Sequence, residues 1–475
     1  MNQYSESGDG REARIVGVTV LGDFIVSEGV EPILDNLQRA GVTAVACNPT
    51  VTVPAAEGEG SFQPPTDAGS SPRVFDRLLF NKQSLWLQSG PSYYPDETCY
   101  RDSVYRPRKP NAITDKYGEC IEHFIKSAQK RGLKVYFQIG AVQPSGLRDE
   151  DRPRLPDGRV PENRMADTAS LASVAVRDYT RCYIQDLFRQ YPDLDGFRID
   201  WPEYPCYTFD EIFQDFSCHA SRWIENHPES GFHFENMKRV IGECYDYLNS
   251  RLTNEDIQDL ASPDRGKGTL LHFLTAIPEL GEWLRFKREL SSDVMREYYH
   301  CVKEFGGQEK ELHANAFMPP YSVLTGFAFP GFQKESYCDS VSPKFYTMHW
   351  SQMVEFWGRR LLENNAAVDE EILVKALVQL MDLDDDPAIT ELSGYGYPKP
   401  DEPHPVPDAP QIRKLQQAMS AAGTRTPLVP LIHGYGPDDD FQRRLQLVAN
   451  SSVPGVWINR YGYLNDSKLS LIASM

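Results

Sequence analysis

Leu194-Asp195-Gly196-Phe197-Arg198-Ile199-Asp200-Trp201-Pro202-Glu203-Tyr204-Pro205 sets how the other 463 or so residues are read. Leu194, Phe197 and Ile199 around a glycine read as a short buried strand, and Pro202 and Pro205 stop further pairing. Two carboxylates, Asp200 and Glu203, therefore stand just past a strand end. In a parallel barrel that is the rim where chemistry is done.

Working outward, the same pattern recurs. Residues 15–21 form an apolar run ending at Gly22-Asp23-Phe24. A helical period over 30–40 closes at Gly41 and leads to a second strand over 42–47, giving one strand-helix-strand unit of a parallel sheet. Further strands are expected at 133–139, around 194–200, and at 312–317, 341–346, 428–432 and 456–459. Helical patterns fall at about 115–131, 169–190, 351–364, 368–382 and 438–450, with a Pro-rich segment at 396–410 and a short last helix. Eight strands with helices between them predict an α/β fold, a single (β/α)8 TIM barrel over residues 1–475 with long insertions after strands two and four. The insertion at 48–113 is rich in aromatics and arginines and reads as an ordered lid. The one at 206–310 reads as helical. An open doubly wound sheet is the second choice, but strand one ends in Leu21-Gly22-Asp23-Phe24 and carries no GxGxxG.

A net charge of −19 argues against nucleic acid as partner, since such a surface repels phosphate. No run is long enough to span a membrane, and the polar start, Met1 to Gly10, has no apolar leader core. Nine cysteines without CxxC spacing fit reduced thiols in a cytoplasmic protein. A homo-oligomer is left open.

The residues at the eight strand ends share one mouth. They include Asp23, Asn48, Gln138, Asp200, Trp201, Glu203, Tyr204, Asn315, Lys344, Tyr346, His349, Trp350, His433 and Arg460. Flat rings with amides and a few charges suit the C–H faces and hydroxyls of a carbohydrate. Trp86 and Tyr94 of the first insertion join Trp201 and Trp350 as candidate stacking platforms. Scattered single histidines give no metal set, no cofactor motif is present, and no GxSxG elbow occurs. Paired carboxylates remain, the requirement for cleaving a glycosidic bond. Trp201, Pro202, Tyr204 and Pro205 would desolvate Glu203 and raise its pKa, making it the proton donor. Arg198, two residues from Asp200 on one strand face, would favour the charged carboxylate and assign Asp200 as nucleophile or charge stabiliser. The competing assignment makes Asp200–Arg198 an interior ion pair and Glu203 a turn cap.

Asp195-Gly196-Phe197-Arg198-Ile199-Asp200-Trp201-Pro202-Glu203-Tyr204-Pro205 resembles the strand-four signature of the family 18 (chitinase-like) glycoside hydrolases, DGxDxDWEYP, with Arg198 for the middle Asp and Pro202 added before the Glu. Gly196-Phe197-Arg198-Ile199-Asp200 also resembles the GFRxD motif of the α-amylase family. The first resemblance implies Glu203 as acid, with Tyr346 assisting a substrate N-acetyl group. The second implies Asp200 as nucleophile supported by Arg198. A glycoside hydrolase acting on an oligosaccharide or glycoside is the expectation. A sugar lyase or isomerase using Lys344, Tyr346 or His349, and a carbohydrate-binding barrel whose catalytic set has decayed, remain open.

Overall fold

The computed structural model describes residues 14–66 and 72–475, so the polar start, Met1 to Gly10, lies outside the described residues. Eight parallel strands close on themselves: β1 (Ile15–Thr19), β2 (Ala44–Cys47), β3 (Lys134–Gly140), β4 (Gly196–Asp200), β5 (Glu311–Ala316), β6 (Ser340–Phe345), β7 (Leu431–His433) and β8 (Gly455–Asn459). Each pairs with its neighbour in sequence, and β8 pairs with β1. The α/β barrel expected from the sequence is the fold. β7 starts at Leu431 rather than at 428, with Leu428 making only an isolated bridge to Val341. Pro427 and Pro430 lack the N–H groups that a longer strand would need.

The strands are hydrophobic runs because helices cover the outside of the barrel, yet the inside is polar and aromatic. Arg198 lies with its guanidinium carbon 3.7 Å from the Trp457 ring centroid and donates to Asn315 Oδ1 at 2.8 Å. Tyr136 packs on His313 (centroids 4.6 Å apart) and donates to Glu311 Oε2 at 2.5 Å. His313 reaches the same Glu311 oxygen at 3.0 Å and Ser340 Oγ at 2.8 Å. Gly17 stands where any Cβ would come within 2.3 Å of the Trp457 ring, so the large indole on β8 is accommodated by the missing side chain on β1.

Three long segments rise from the strand ends. After β2 the chain forms an antiparallel sheet of Thr50–Pro54, Ser61–Gln63 and a central Leu85–Pro91, then helices Ala112–Tyr117 and Glu119–Lys130. After β3, residues 141–173 make a long irregular loop that the sequence periodicity does not single out; the following helix begins at Val174, capped by Ser173 Oγ, rather than near 169. After β4, helices from Phe209 to Gly306 fill the region expected to be helical. The fully buried Asp151 of the irregular loop accepts from Ser173 Oγ (2.5 Å), Tyr105 Oη (2.6 Å) and Arg148 Nε (2.9 Å), so it fastens the first long segment to the second. One helix, Asp408–Ala422, goes beyond the sequence pattern, because Pro407 and Pro410 make its start read as loop. Proline is tolerated in a first turn, where its missing N–H would be unpaired anyway.

Gly196, which opens β4, has φ 152°, and a Cβ there would sit 1.9 Å from Glu311 O on β5. Gly196→Ala is expected to destabilise the barrel by about 3 kcal/mol. Denaturant unfolding at constant pH checks this, and a loss below about 1 kcal/mol would show that β4 and β5 can separate to take a side chain.

Candidate active site

β4 delivers Asp200 to the mouth. Its neighbour in register on β3 is Gly140 and on β5 Asn315. Gln138 Nε2 donates to Asp200 Oδ2 at 2.7 Å while Gln138 Oε1 accepts from Thr19 Oγ1 at 3.1 Å, so the amide is oriented from both sides. Lys344 of β6 places Nζ 3.3 Å from Asp200 Oδ1, and the same ammonium lies over Trp201 (4.5 Å) and Phe317 (5.1 Å). The Asp200 side chain keeps 15% of its surface exposed, so solutes reach it. Trp201 takes a left-handed φ of 51°, uncommon for a bulky residue, and this turns the chain sharply at the strand end.

Proximity in sequence pairs Asp200 with Arg198, but the cation in contact with the carboxylate is Lys344. Arg198 instead meets Trp457 and Asn315 inside the barrel. Burial pushes its pKa down to about 9 against the pull of Asp200. Asn315 is fully buried and its Oδ1 accepts from Arg198.

Glu203 is 0% exposed. Phe317 N–H donates to its Oε1 at 2.6 Å, and Thr325 Oγ1 bonds its Oε2. Burial pushes its pKa up to about 7, opposed by Lys344, by the bonds from Thr325 and Phe317, and by Lys287. The expected rise in pKa is present, but the carboxyl lies beneath the mouth, tying the β4 turn to the segment after β5.

On the far side of the mouth Tyr346 meets His433 edge-on (5.0 Å) and His349 (5.5 Å). Burial, then the charge of Asp200, holds the Tyr346 hydroxyl well above its ordinary pKa. Burial, with Arg73, His349, Arg460 and Arg444 adding to it, holds His433 well below its own. His433 Nδ1 accepts from Tyr435 N–H at 3.1 Å, which assigns the ring proton to Nε2. Asp23 is buried in the first turn of helix Gly22–Glu28, its pKa raised by burial against Arg460. Arg460 in turn donates to Gln63 Oε1 at 3.1 Å. Asn48 Oδ1 accepts from Gly22 N–H at 2.9 Å.

Four sequence candidates fall elsewhere. Tyr204 is fully buried, its hydroxyl donating to Asp215 (3.0 Å) and accepting from Leu171 N–H (3.1 Å). Trp350 is buried against Phe345 in helix Thr347–Leu362. Trp86 packs on Phe62 in the antiparallel sheet. Tyr94 is 61% exposed and bonded to Asp115. Strand-end position alone cannot separate Tyr204 and Trp350 from Trp201, since depth depends on packing across elements. Arg73 and Tyr397 come to the mouth side unannounced, the guanidinium 5.6 Å from the ring, out of segments that read as loop.

A cavity of about 300 Å³ opens beside Asp200, with Gln138 and Gly140 in its wall and Asn48, Arg108, Tyr179 and Tyr183 around it. Among the described residues no group of three or more His, Cys, Asp or Glu is placed to hold a metal. Among them also, no helix is long and apolar enough to cross a membrane.

No family model matches the chain, and no curated protein matches its sequence. Among solved structures it is similar to the β-galactosidase of the psychrophilic Marinomonas ef1, with a TM-score of 0.50 and 10% identity over 97% of this chain and 58% of that one. It is similar also to the β-galactosidase of the Antarctic haloarchaeon Halorubrum lacusprofundi (TM-score 0.49, 10% identity, 97% and 57% covered). A Group IV chitinase of Ostrinia furnacalis aligns over 97% of this chain and 98% of its own, at 10% identity and a TM-score of 0.41. The chain thus spans less than two thirds of the two β-galactosidases. At this identity the likeness to the Marinomonas structure is one of fold.

Glu203 binds its proton more tightly folded (pKa about 7) than unfolded (4.5), so its contribution to stability is full below 4.5 and is lost as pH rises through about 7. Glu203→Gln removes that loss. From pH 5 to pH 8 the variant is expected to gain stability relative to the parent by a few kcal/mol, on the order of 1.4 kcal/mol for each tenfold difference in proton affinity between the folded and unfolded chain. Melting curves of both proteins across that range check it, and parallel curves would show that Glu203 does not titrate between the two states.

Proposed function

We propose that the barrel hydrolyses glycosidic bonds at its mouth, with Asp200 as nucleophile or charge stabiliser and Glu203 as proton donor. The observation that carries this reading is the clamped carboxylate: Asp200 stands at the end of β4, fixed by Gln138 at 2.7 Å and Lys344 at 3.3 Å, and a second carboxyl follows three residues on. An oxocarbenium-like transition state needs a carboxylate whose position is set before the charge develops, and two oriented donors supply that. Trp201 and Tyr346 give flat faces for a sugar ring beside it.

Acidity supports Glu203. With a pKa of about 7 it is half protonated at neutral pH, as a general acid should be. Tyr346 holds its proton too firmly and His433 too weakly to take that part. Because Phe317 and Thr325 engage both Glu203 oxygens, the 317–325 segment has to move off the carboxyl before it meets a glycosidic oxygen. A lyase or isomerase built on Lys344, Tyr346 and His349 has less support, since Lys344 Nζ lies 3.3 Å from Asp200 and the Tyr346 hydroxyl is far from losing its proton.

A panel of aryl glycosides and oligosaccharides tests the proposal. Asp200→Asn is expected to lower kcat by roughly 10²-fold or more, and Glu203→Gln by roughly 10²–10⁴-fold on unactivated glycosides. Wild-type activity is expected to fall above about pH 7 as Glu203 loses its proton. A panel without turnover sinks the hydrolase reading. Turnover that survives Glu203→Gln within about tenfold, together with a lowered Tm, assigns Glu203 to architecture instead.

A further inference from the structure

The cavity beside Asp200 has a chemistry of its own. Among the described residues none of the side chains lining it is a carboxylate, although the chain as a whole carries a net charge of −19. Arg108 is its one charged lining residue among those described. The guanidinium is exposed at the rim and is oriented from the antiparallel sheet, donating to Ser89 Oγ at 2.8 Å and Ser89 O at 3.0 Å. Asn48 adds a donor to the wall. Asn48 Oδ1 already accepts from Gly22 N–H, which leaves its amide N–H groups for the cavity. Tyr179 and Tyr183 stack at 5.5 Å with 14° between their planes, a flat aromatic floor.

Distance to the mouth is short. Gln138 lines the cavity and bonds Asp200 directly, and Gly140 lines it and pairs with Asp200 in register. In the mouth itself Trp201 Nε1 is a buried donor without a hydrogen-bond partner among the described residues.

We propose that this cavity is a subsite for an anionic sugar unit, one carrying a carboxylate or a sulfate, that seats its charge on Arg108 and its ring on Tyr183 while the neighbouring unit lies at Asp200. The inference rests on the reading of the mouth as a glycoside-processing site and names its substrate class as acidic glycans. A single oriented guanidinium discriminates because its hydrogen bonds to an anion are charge-assisted and stronger than those to a neutral hydroxyl. A neutral unit would gain the ring contact alone.

The test is calorimetric binding to full-length Asp200→Asn protein, which is not expected to turn the ligands over. The ligands are a uronic-acid tetrasaccharide, a sulfated oligosaccharide and a neutral tetrasaccharide. The expected result is that at least one anionic ligand binds roughly tenfold or more tighter than the neutral one, and that Arg108→Gln removes that preference. Tyr183→Ala is expected to weaken anionic and neutral ligands alike. Whichever anionic ligand prevails separates carboxylate from sulfate. Equal affinity for all three, preference unchanged by Arg108→Gln, or no binding by any of them overturns the subsite. Binding is read without turnover, so an Arg108-dependent preference in a protein that cleaves nothing would keep the subsite and sink the hydrolase. Cleavage of neutral glycosides with no Arg108 dependence would do the reverse.

Discussion

A cation sealed inside the barrel is the constraint on which the structure turns. Arg198 is fully buried, and an unpaired guanidinium in such a place would cost several kcal/mol. The barrel offsets part of that cost with the face of Trp457, the oxygen of Asn315 and the field of Asp200 above, while Nε and Nη1 have no hydrogen-bond partner among the described residues. Each of those fixes something else. Trp457 requires Gly17 on the next strand, Asn315 sets the β4–β5 register beside Asp200, and Asp200 draws Lys344 across from β6. The polar centre thereby aligns strands that continuous hydrophobic runs alone would leave free to slide, since such runs bury equally well in several registers.

The carboxylate at the top of that column inherits the rigidity beneath it. Gln138, braced by Thr19, and Lys344 hold Asp200 from other strands of the barrel, so its orientation is a property of barrel closure and not of a loop. Glu203 is governed by another logic. It leaves the barrel with the β4 turn, meets Phe317 N–H at the end of β5, and bonds Thr325 of the helix Tyr321–Thr325. Three residues of separation in the chain place one group in a wet mouth and the other in a dry seam, and their environments diverge for that reason.

The strands are legible in the sequence because buried parallel strands are written as apolar runs, and the end of a run marks the mouth; Asp200, Gln138, Lys344 and Tyr346 stand out that way. Depth is not legible. Trp201 and Trp350 both follow strand ends, but one turns at a left-handed residue into the mouth and the other enters a helix packed on Phe345. Tyr204 stands next to Glu203 and is consumed by Asp215, a residue eleven positions later whose approach no local pattern announces. The partner of Asp200 misleads for a related reason: Arg198 and Asp200 are near in sequence, whereas Lys344 comes from a strand 144 positions away. Helix 408–422 is hidden by prolines that its first turn tolerates.

The Asp151 junction also bears on how a ligand would be received. A carboxylate at full burial that accepts from Ser173, Tyr105 and Arg148 joins the segment after β2 to the one after β3 and to the helix behind them. The walls of the cleft at Gln138 are therefore assembled before anything enters it. Ordering entropy that a floppy cover would surrender at the moment of association has already been surrendered on folding, so recognition there can draw its selectivity from shape and charge alone.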